Sequence, residues 1–170
     1  MSKKWLIILI ITAAGAGIGW FVTSAVQAGI HRTEDGKKAA EAAVLDSDSL
    51  VSAEKTTVFN GPTENSKPVY AVYGRNAGGK EAASLVRSGR LKEKPVTVIL
   101  SDIISESRAS KISRQEYSPK KMISVKLGLL PQKNKQVPVW EVKYIDSYSR
   151  YTYDYIDAKS GTMLAHIAIK

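Results

Sequence analysis

Serine three residues ahead of lysine is the pairing used by one class of acyl-transfer enzymes, in which a hydroxyl nucleophile is activated beside an amine. The chain holds it twice, as Ser52-Ala53-Glu54-Lys55 and as Ser118-Pro119-Lys120-Lys121, and Lys159-Ser160-Gly161 resembles the Lys-Thr-Gly element that accompanies it. Such a nucleophile needs its base and its oxyanion donors around one pocket on a substantial scaffold. Here the Ser-Asn or Ser-Asp-Asn element is missing, the chain is short at 170 residues, and Lys159-Ser160-Gly161 reads better as a hairpin turn. There is no cysteine, which removes thiol chemistry and disulfides together. The two histidines, His31 and His166, are far apart in the chain, and two lone histidines do not make a zinc site. Asp154 and Asp157 fall on opposite sides of a strand and are poor acid/base partners. Asp46-Ser47-Asp48-Ser49 alternates like a calcium loop, but the later ligands and the turn glycine do not follow. No glycine-rich loop precedes a helix so as to cradle phosphate. The expectation is therefore no catalytic residue, no cofactor and no metal.

What remains is recognition. Tyr144, Tyr148, Tyr151, Tyr153 and Tyr155 crowd into one stretch. Tyr144, Tyr153 and Tyr155 are expected to pack on a sheet face beneath a helix. Tyr148 sits in a turn beside Arg150, and exposed Tyr and Arg are common anchors of protein interfaces. Arg114, Lys120 and Lys121 form a basic cluster at and after the end of a helix. These five residues, Tyr148, Arg150, Arg114, Lys120 and Lys121, are the candidate partner-binding positions. The formal net charge is +9. The excess is local: Arg87 to Lys143 holds 13 basic and 5 acidic residues. A basic domain beside a membrane is attracted to anionic lipid or anionic wall polymer.

The membrane itself is read from the start of the chain. Trp5 to Ile30 carries no charge, and about 20 apolar residues suffice to cross a bilayer. Lys3 and Lys4 precede this run and place the amino terminus in the cytoplasm. Trp5 and Trp20 suit the two interfaces, and Gly15 and Gly19 form a Gly-x-x-x-Gly pair of the kind that lets membrane helices approach. The run is longer than the ~7–15 residues of a signal-peptide core, so residues 5–28 are expected to be a retained anchor with the rest of the chain outside the cell. That location makes nucleic acid an improbable partner.

The elements that must position the candidate residues follow. Residues 33–50 read as a helix and linker, with Thr33 as N-cap and Ala40, Ala43 and Val44 on the buried side. Lys55–Asn60, Pro68–Gly74, Lys80–Arg87 and Pro95–Leu100 read as strands, separated by Gly61-Pro62, Asn76-Ala77-Gly78-Gly79 and Ser88-Gly89. The pattern then restarts. Ser105 caps a helix that Tyr117-Ser118-Pro119 stops. Met122–Leu130, Val137–Asp146, Arg150–Asp157 and Thr162–Ile169 are four more strands. The fold class is α+β: an N-terminal transmembrane helix and two units, each with one helix on an antiparallel sheet. The boundaries are a tail over 1–4, the anchor over 5–28, and units over 29–101 and 102–170.

The second unit resembles a PepSY domain. The residues that carry this are the Pro138-Val139-Trp140-Glu141-Val142 strand, the Tyr151-Thr152-Tyr153-Asp154-Tyr155-Ile156-Asp157 strand and the Ala158-Lys159-Ser160-Gly161-Thr162-Met163-Leu164 hairpin. The anchor and the stretch Tyr117 to Gly128 extend the likeness to the membrane-anchored YpmB/TseB-like cell-wall elongation regulators of Gram-positive bacteria. The resemblance is specific over residues 105–164 and architectural over 33–101. It implies two cystatin-like units and a non-enzymatic extracellular partner of a penicillin-binding transpeptidase. Inhibition of an exported peptidase and binding of anionic wall polymer are the alternatives.

Overall fold

The computed structural model describes residues 27, 29, 31, 33–63, 66–132 and 135–169. The anchor expected over residues 5–28, with Trp5, Gly15, Gly19 and Trp20, lies outside the described residues except for Gln27. Among the described residues no helix is long and apolar enough to cross a membrane. The chain divides into Met1–Gly36 and Lys37–Lys170, and all of the sheet structure belongs to the second unit.

Residues 33–46 are helical (α1). Thr33 does not cap this helix, contrary to the expectation. Its hydroxyl donates to the carbonyl of Gly29, one turn back, at 3.0 Å, because helical backbone already precedes it. The Asp/Ser run that follows is the helix's C-terminal turn. Ser47 donates through Oγ to the Val44 carbonyl at 2.9 Å, and Asp48 takes a left-handed φ of 54°.

Two four-stranded antiparallel sheets follow, each a simple meander. The first is β1 (Ser52–Phe59), β2 (Val69–Arg75), β3 (Glu81–Arg87) and β4 (Val96–Ile99) in that spatial order. A short 3-10 turn, Leu100–Asp102, leads to α2 (Glu106–Tyr117). The second sheet is β5 (Lys121–Gln132), β6 (Lys135–Ile145), β7 (Tyr151–Asp157) and β8 (Met163–Ile169), again in order. The strands were legible because β-branched and aromatic runs alternate between turn residues. Gly161 holds the β7–β8 connection at φ 76°, a conformation costly for any residue with a Cβ.

α1 covers the outer face of the first sheet. Ala40 and Val44 meet Tyr70, Val72, Ala82 and Val86, with Leu50 closing the end. The small Ala40 lets the helix come close, and Thr56 donates to the Glu41 carboxylate at 2.5 Å at the margin. The inner face does something the sequence did not announce. Phe59, Val69, Ala71, Ala83 and Leu85 share one apolar cluster with Leu127, Leu129, Val139 and Tyr155 of the second sheet. Strand β5 lies against β1 and β2. The two sheets are thus built around a common core.

α2 covers one face of the second sheet. Ser105 caps it, accepting from the Arg108 N–H at 3.1 Å, and Ser118 ends it in the left-handed region at φ 46°. Beneath it lie Trp140, Val142 and Tyr144. The Trp140 indole donates to the Ile104 carbonyl at 2.8 Å, so its burial leaves no polar group unmet. Strand register corrects one expectation. Trp140 pairs with Ile156, Val142 with Asp154 and Tyr144 with Thr152, so these residues share the helix-covered face. Tyr151, Tyr153 and Tyr155 point the other way, and Tyr155 packs edge-on against Phe59 with ring centroids 6.2 Å apart. Of the three tyrosines expected beneath a helix, only Tyr144 is there. Alternation identified both faces of β7 but not which one the helix would take.

Candidate interaction surface

The face of the second sheet away from α2 is only partly covered. Antiparallel register sets it out in cross-strand rows. Gly128, Val139 and Asp157 form the first, and Phe59 of the first sheet sits on Gly128. Next come Lys126, Glu141, Tyr155 and Ala165, then Ser124, Lys143, Tyr153 and Ile167. The last is Lys121, Ile145, Tyr151 and Ile169. The first sheet covers the Gly128 end and leaves the Tyr151 end open, where Tyr151 and Ile169 are each 53% exposed.

The connection after β1 walls one side. Asn60, Gly61, Pro62, Ser66 and Pro68 stand over the floor made by Ile123, Lys126, Glu141, Lys143, Tyr153 and Ile167, enclosing a groove of about 830 Å³. Lys143 caps the tyrosines, its Nζ lying 4.9 Å from the Tyr151 ring centroid and 5.1 Å from that of Tyr153. Glu141 is the buried acid of the floor. Burial pushes its carboxyl above the usual carboxylate range, and the hydrogen bond from Tyr155 at 3.0 Å and the Lys126 and Lys143 cations pull against this. The Tyr155 hydroxyl is pushed up in turn, first by burial and then by the Glu141 charge. This surface offers aromatic side chains of the kind enriched in protein interfaces, with lysines at its edge where an interface has its polar rim.

The expected recognition residues stand at the open end. Tyr148 is 78% exposed in the β6–β7 turn, with the Arg150 guanidinium 5.1 Å from its ring centroid. Arg150 is less free than the sequence suggested. Its Nε and Nη2 each lie 2.8 Å from Asp146 Oδ2, while Asp146 Oδ1 accepts from the N–H groups of Tyr148 and Arg150 at 2.9 Å. Desolvation raises the Asp146 pKa, but these hydrogen bonds and the guanidinium together hold it below the ordinary value. Arg150 is therefore the staple of a rigid turn that presents Tyr148. Lys120 joins the same patch. Its N–H donates to the Ile145 carbonyl at 2.9 Å, and its Nζ reaches Ser149 Oγ at 3.3 Å. Lys121 pairs with Ile145. Lys120 and Lys121 of the basic cluster and the tyrosine turn, separate in sequence, form one surface. Arg114 stands apart on the last turn of α2, exposed, its carbonyl accepting from the Ser118 N–H at 3.2 Å.

Sequence reasoning missed Ile123, Lys126, Lys143, Tyr151, Tyr153, Ile167 and Ile169 as members of this surface. The available signal was β8 itself, MLAHIAI, which is apolar at nearly every position and so leaves an apolar residue on whichever face is uncovered. The serines of the apparent catalytic motifs are occupied structurally. Ser52 accepts from the Arg75 N–H at 3.2 Å, Ser118 is the helix cap, and Ser160 lies in a turn closed by Asp157.

In the second half of the chain a helix packs on a four-stranded antiparallel meander, with the indole of Trp140 locked beneath it. Residues 103–166 match the family described as "Peptidase propeptide and YPEB domain". The likeness extends past that domain. The chain is 28% identical over 172 residues to the probable cell wall elongation regulator TseB of Bacillus subtilis (strain 168), covering 98% of this chain and 99% of that protein. The solved structure of the YpmB protein from Bacillus subtilis superposes with a TM-score of 0.62 at 27% identity, covering 76% of this chain and 96% of that one.

Proposed function

We propose that this protein is a non-enzymatic, membrane-anchored extracellular regulator of cell-wall elongation, acting by binding a penicillin-binding transpeptidase. The observation that carries the reading is the similarity to a probable cell wall elongation regulator over 98% of the chain. The open face of the second sheet and the Tyr148 turn supply a surface suited to a protein partner. In this reading residues 5–28 anchor the chain, and residues 29–101 and 102–170 stand outside the membrane as two PepSY-like units. The anchor confines regulator and synthase to one plane, which raises their effective concentration and lets a weak contact act.

The test is crosslinking in living cells. A photoreactive residue at Tyr148 or Tyr151, read by mass spectrometry, is expected to capture a transpeptidase. Capture of an exported peptidase instead would replace the reading with protease inhibition. Crosslinks to wall polymer alone, lost with added salt, would replace it with polymer binding.

A further inference from the structure

The second sheet ends on β8, and β8 has one strand neighbour. Among the described residues its outward N–H and C=O groups make no main-chain hydrogen bond. The other three edges are protected. β4 is only four residues long and passes directly into a 3-10 turn. β1 is broken by a register shift between Ala53 and Lys55 and carries Glu54 and Lys55. β5 is shifted between Met122 and Ser124 and lies against β1 and β2. β8 shares with β1 and β5 a single register shift, at its very start, but carries none of their charged side chains. Met163–Ile169 contains no proline and no lysine, arginine or carboxylate, and the one register shift along β7 and β8 falls by Met163, leaving the pairing regular from Ala165 to Ile169. Natural proteins blunt exposed edges because an unguarded one templates pairing with another chain. An edge left open beside an apolar groove is a docking feature.

The neighbouring side chains select the occupant. Ile167 and Ile169 close the last two rows of the groove floor, so a strand laid along β8 extends those rows. Lys121, Lys126 and Lys143 face the same side. Two acids share that face. Glu141 is buried, and the Oδ1 of Asp157 is taken up by the N–H groups of Lys159 and Ser160 at 2.9 and 2.7 Å. The field over the open rows is therefore positive, and it complements an acidic segment.

We infer that β8 accepts an extended acidic segment of a partner protein as a fifth strand of the second sheet, with alternate side chains lying in the groove beside Ile167 and Ile169. Main-chain hydrogen bonds supply affinity and the lysine-edged groove supplies selection, as in other strand-addition complexes. The inference rests on the reading that the open face meets a protein partner, and it specifies the mode.

The probe is a seven-residue peptide alternating glutamate with valine and tyrosine, titrated into the full chain in neutral detergent micelles. Its controls are the same peptide with lysine for glutamate and the same peptide N-methylated at alternate amides. The acidic peptide is expected to bind saturably, to weaken as salt rises, and to slow hydrogen exchange at the amides of residues 163–169. Either control should bind at least about tenfold more weakly. Equal binding of the N-methylated peptide, or protection that spares β8, would overturn strand addition. Absence of saturable binding would do the same. Protection of β8 without peptide, rising with protein concentration, would assign the edge to a second copy of the chain and also overturn the inference. If β8 behaves as expected while crosslinking in cells recovers no cell-wall synthase, the proposed function fails and the edge assignment stands.

Discussion

Phe59 occupies the space in which Gly128 would carry a side chain. A Cβ built on Gly128 would lie 2.2 Å from Phe59 Cγ, 2.4 Å from Cδ2 and 2.5 Å from Cδ1. The ring is fully buried and meets Tyr155 edge-on, so it has nowhere to retreat. This pair joins the two sheets, one residue from each. Gly128→Ala is expected to destabilise the fold by about 1–3 kcal/mol, the usual cost of forcing atoms into a packed core. Chemical denaturation checks the value. In a Phe59→Ala background the same change should cost far less, because the clash is gone. Additive losses would show that the ring and the glycine are not coupled.

Trp140 separates packing from hydrogen bonding. It is 3% exposed beneath α2, and its indole donates to the Ile104 carbonyl. Trp140→Ala is expected to cost about 3–5 kcal/mol. A domain whose total stability is about 5–15 kcal/mol loses much of its margin with that change. Trp140→Phe keeps most of the apolar contact but leaves the half-buried Ile104 carbonyl without its indole donor, and should cost about 1–3 kcal/mol. An unchanged melting temperature in Trp140→Ala, with partner binding lost, would move the residue from core to interface.

The elements were legible because each is locally consistent. Ser105 before Glu106, Ser118 before Pro119 and Gly161 in a tight connection give the same signals in sequence that they satisfy in structure. Thr33 misled because a threonine before acidic residues has the same appearance at a helix start as one turn inside a helix. The joining of the sheets was not legible, since it depends on a glycine, Gly128, that reads as an ordinary weak strand residue until Phe59 is placed against it. The surface was half legible for a similar reason. Tyr148, Lys120 and Lys121 announce themselves by type, but that they form one patch depends on Lys120 pairing beside Ile145. The groove depends on which face of β7 the helix leaves open, and period-2 alternation is symmetric between the faces.

Glu141 gives the fold a pH dependence of definite sign. Its pKa is raised in the folded state, chiefly by burial. The native protein then holds this proton more tightly than the unfolded chain does, so Glu141 favours folding at low pH. That contribution declines as pH rises from the ordinary carboxylate range, near 4.3, through the raised native value. Glu141→Gln keeps an acceptor for Tyr155 and carries no charge. Above that window the variant should be more stable than the wild type, and below it the two should converge. Melting temperatures measured across about pH 4 to 7 check this. A variant equally or less stable throughout would mean that Lys126 and Lys143 outweigh the desolvation of Glu141.

The Tyr148 turn and the adjoining lysines should separate binding from folding. Tyr148 is exposed and contributes little to the core, whereas Arg150 holds the turn through Asp146. Tyr148→Ala is therefore expected to leave melting unchanged and to weaken recovery of the partner from solubilised membranes by about tenfold, the loss typical of an exposed aromatic anchor. Arg150→Ala is a poorer probe, because it loosens the turn as well as removing a cation. Charge reversal at Lys120 and Lys121 should also leave the core intact, and its effect on recovery should shrink as salt rises. Arg114 stands apart on α2, so reversing it should matter less than reversing Lys120 and Lys121 together. If Tyr148→Ala and the double lysine reversal both retain full recovery while melting normally, the turn is not the contact. The groove floor, probed by Tyr151→Ala with Ile169→Ala, then becomes the surface that must account for binding.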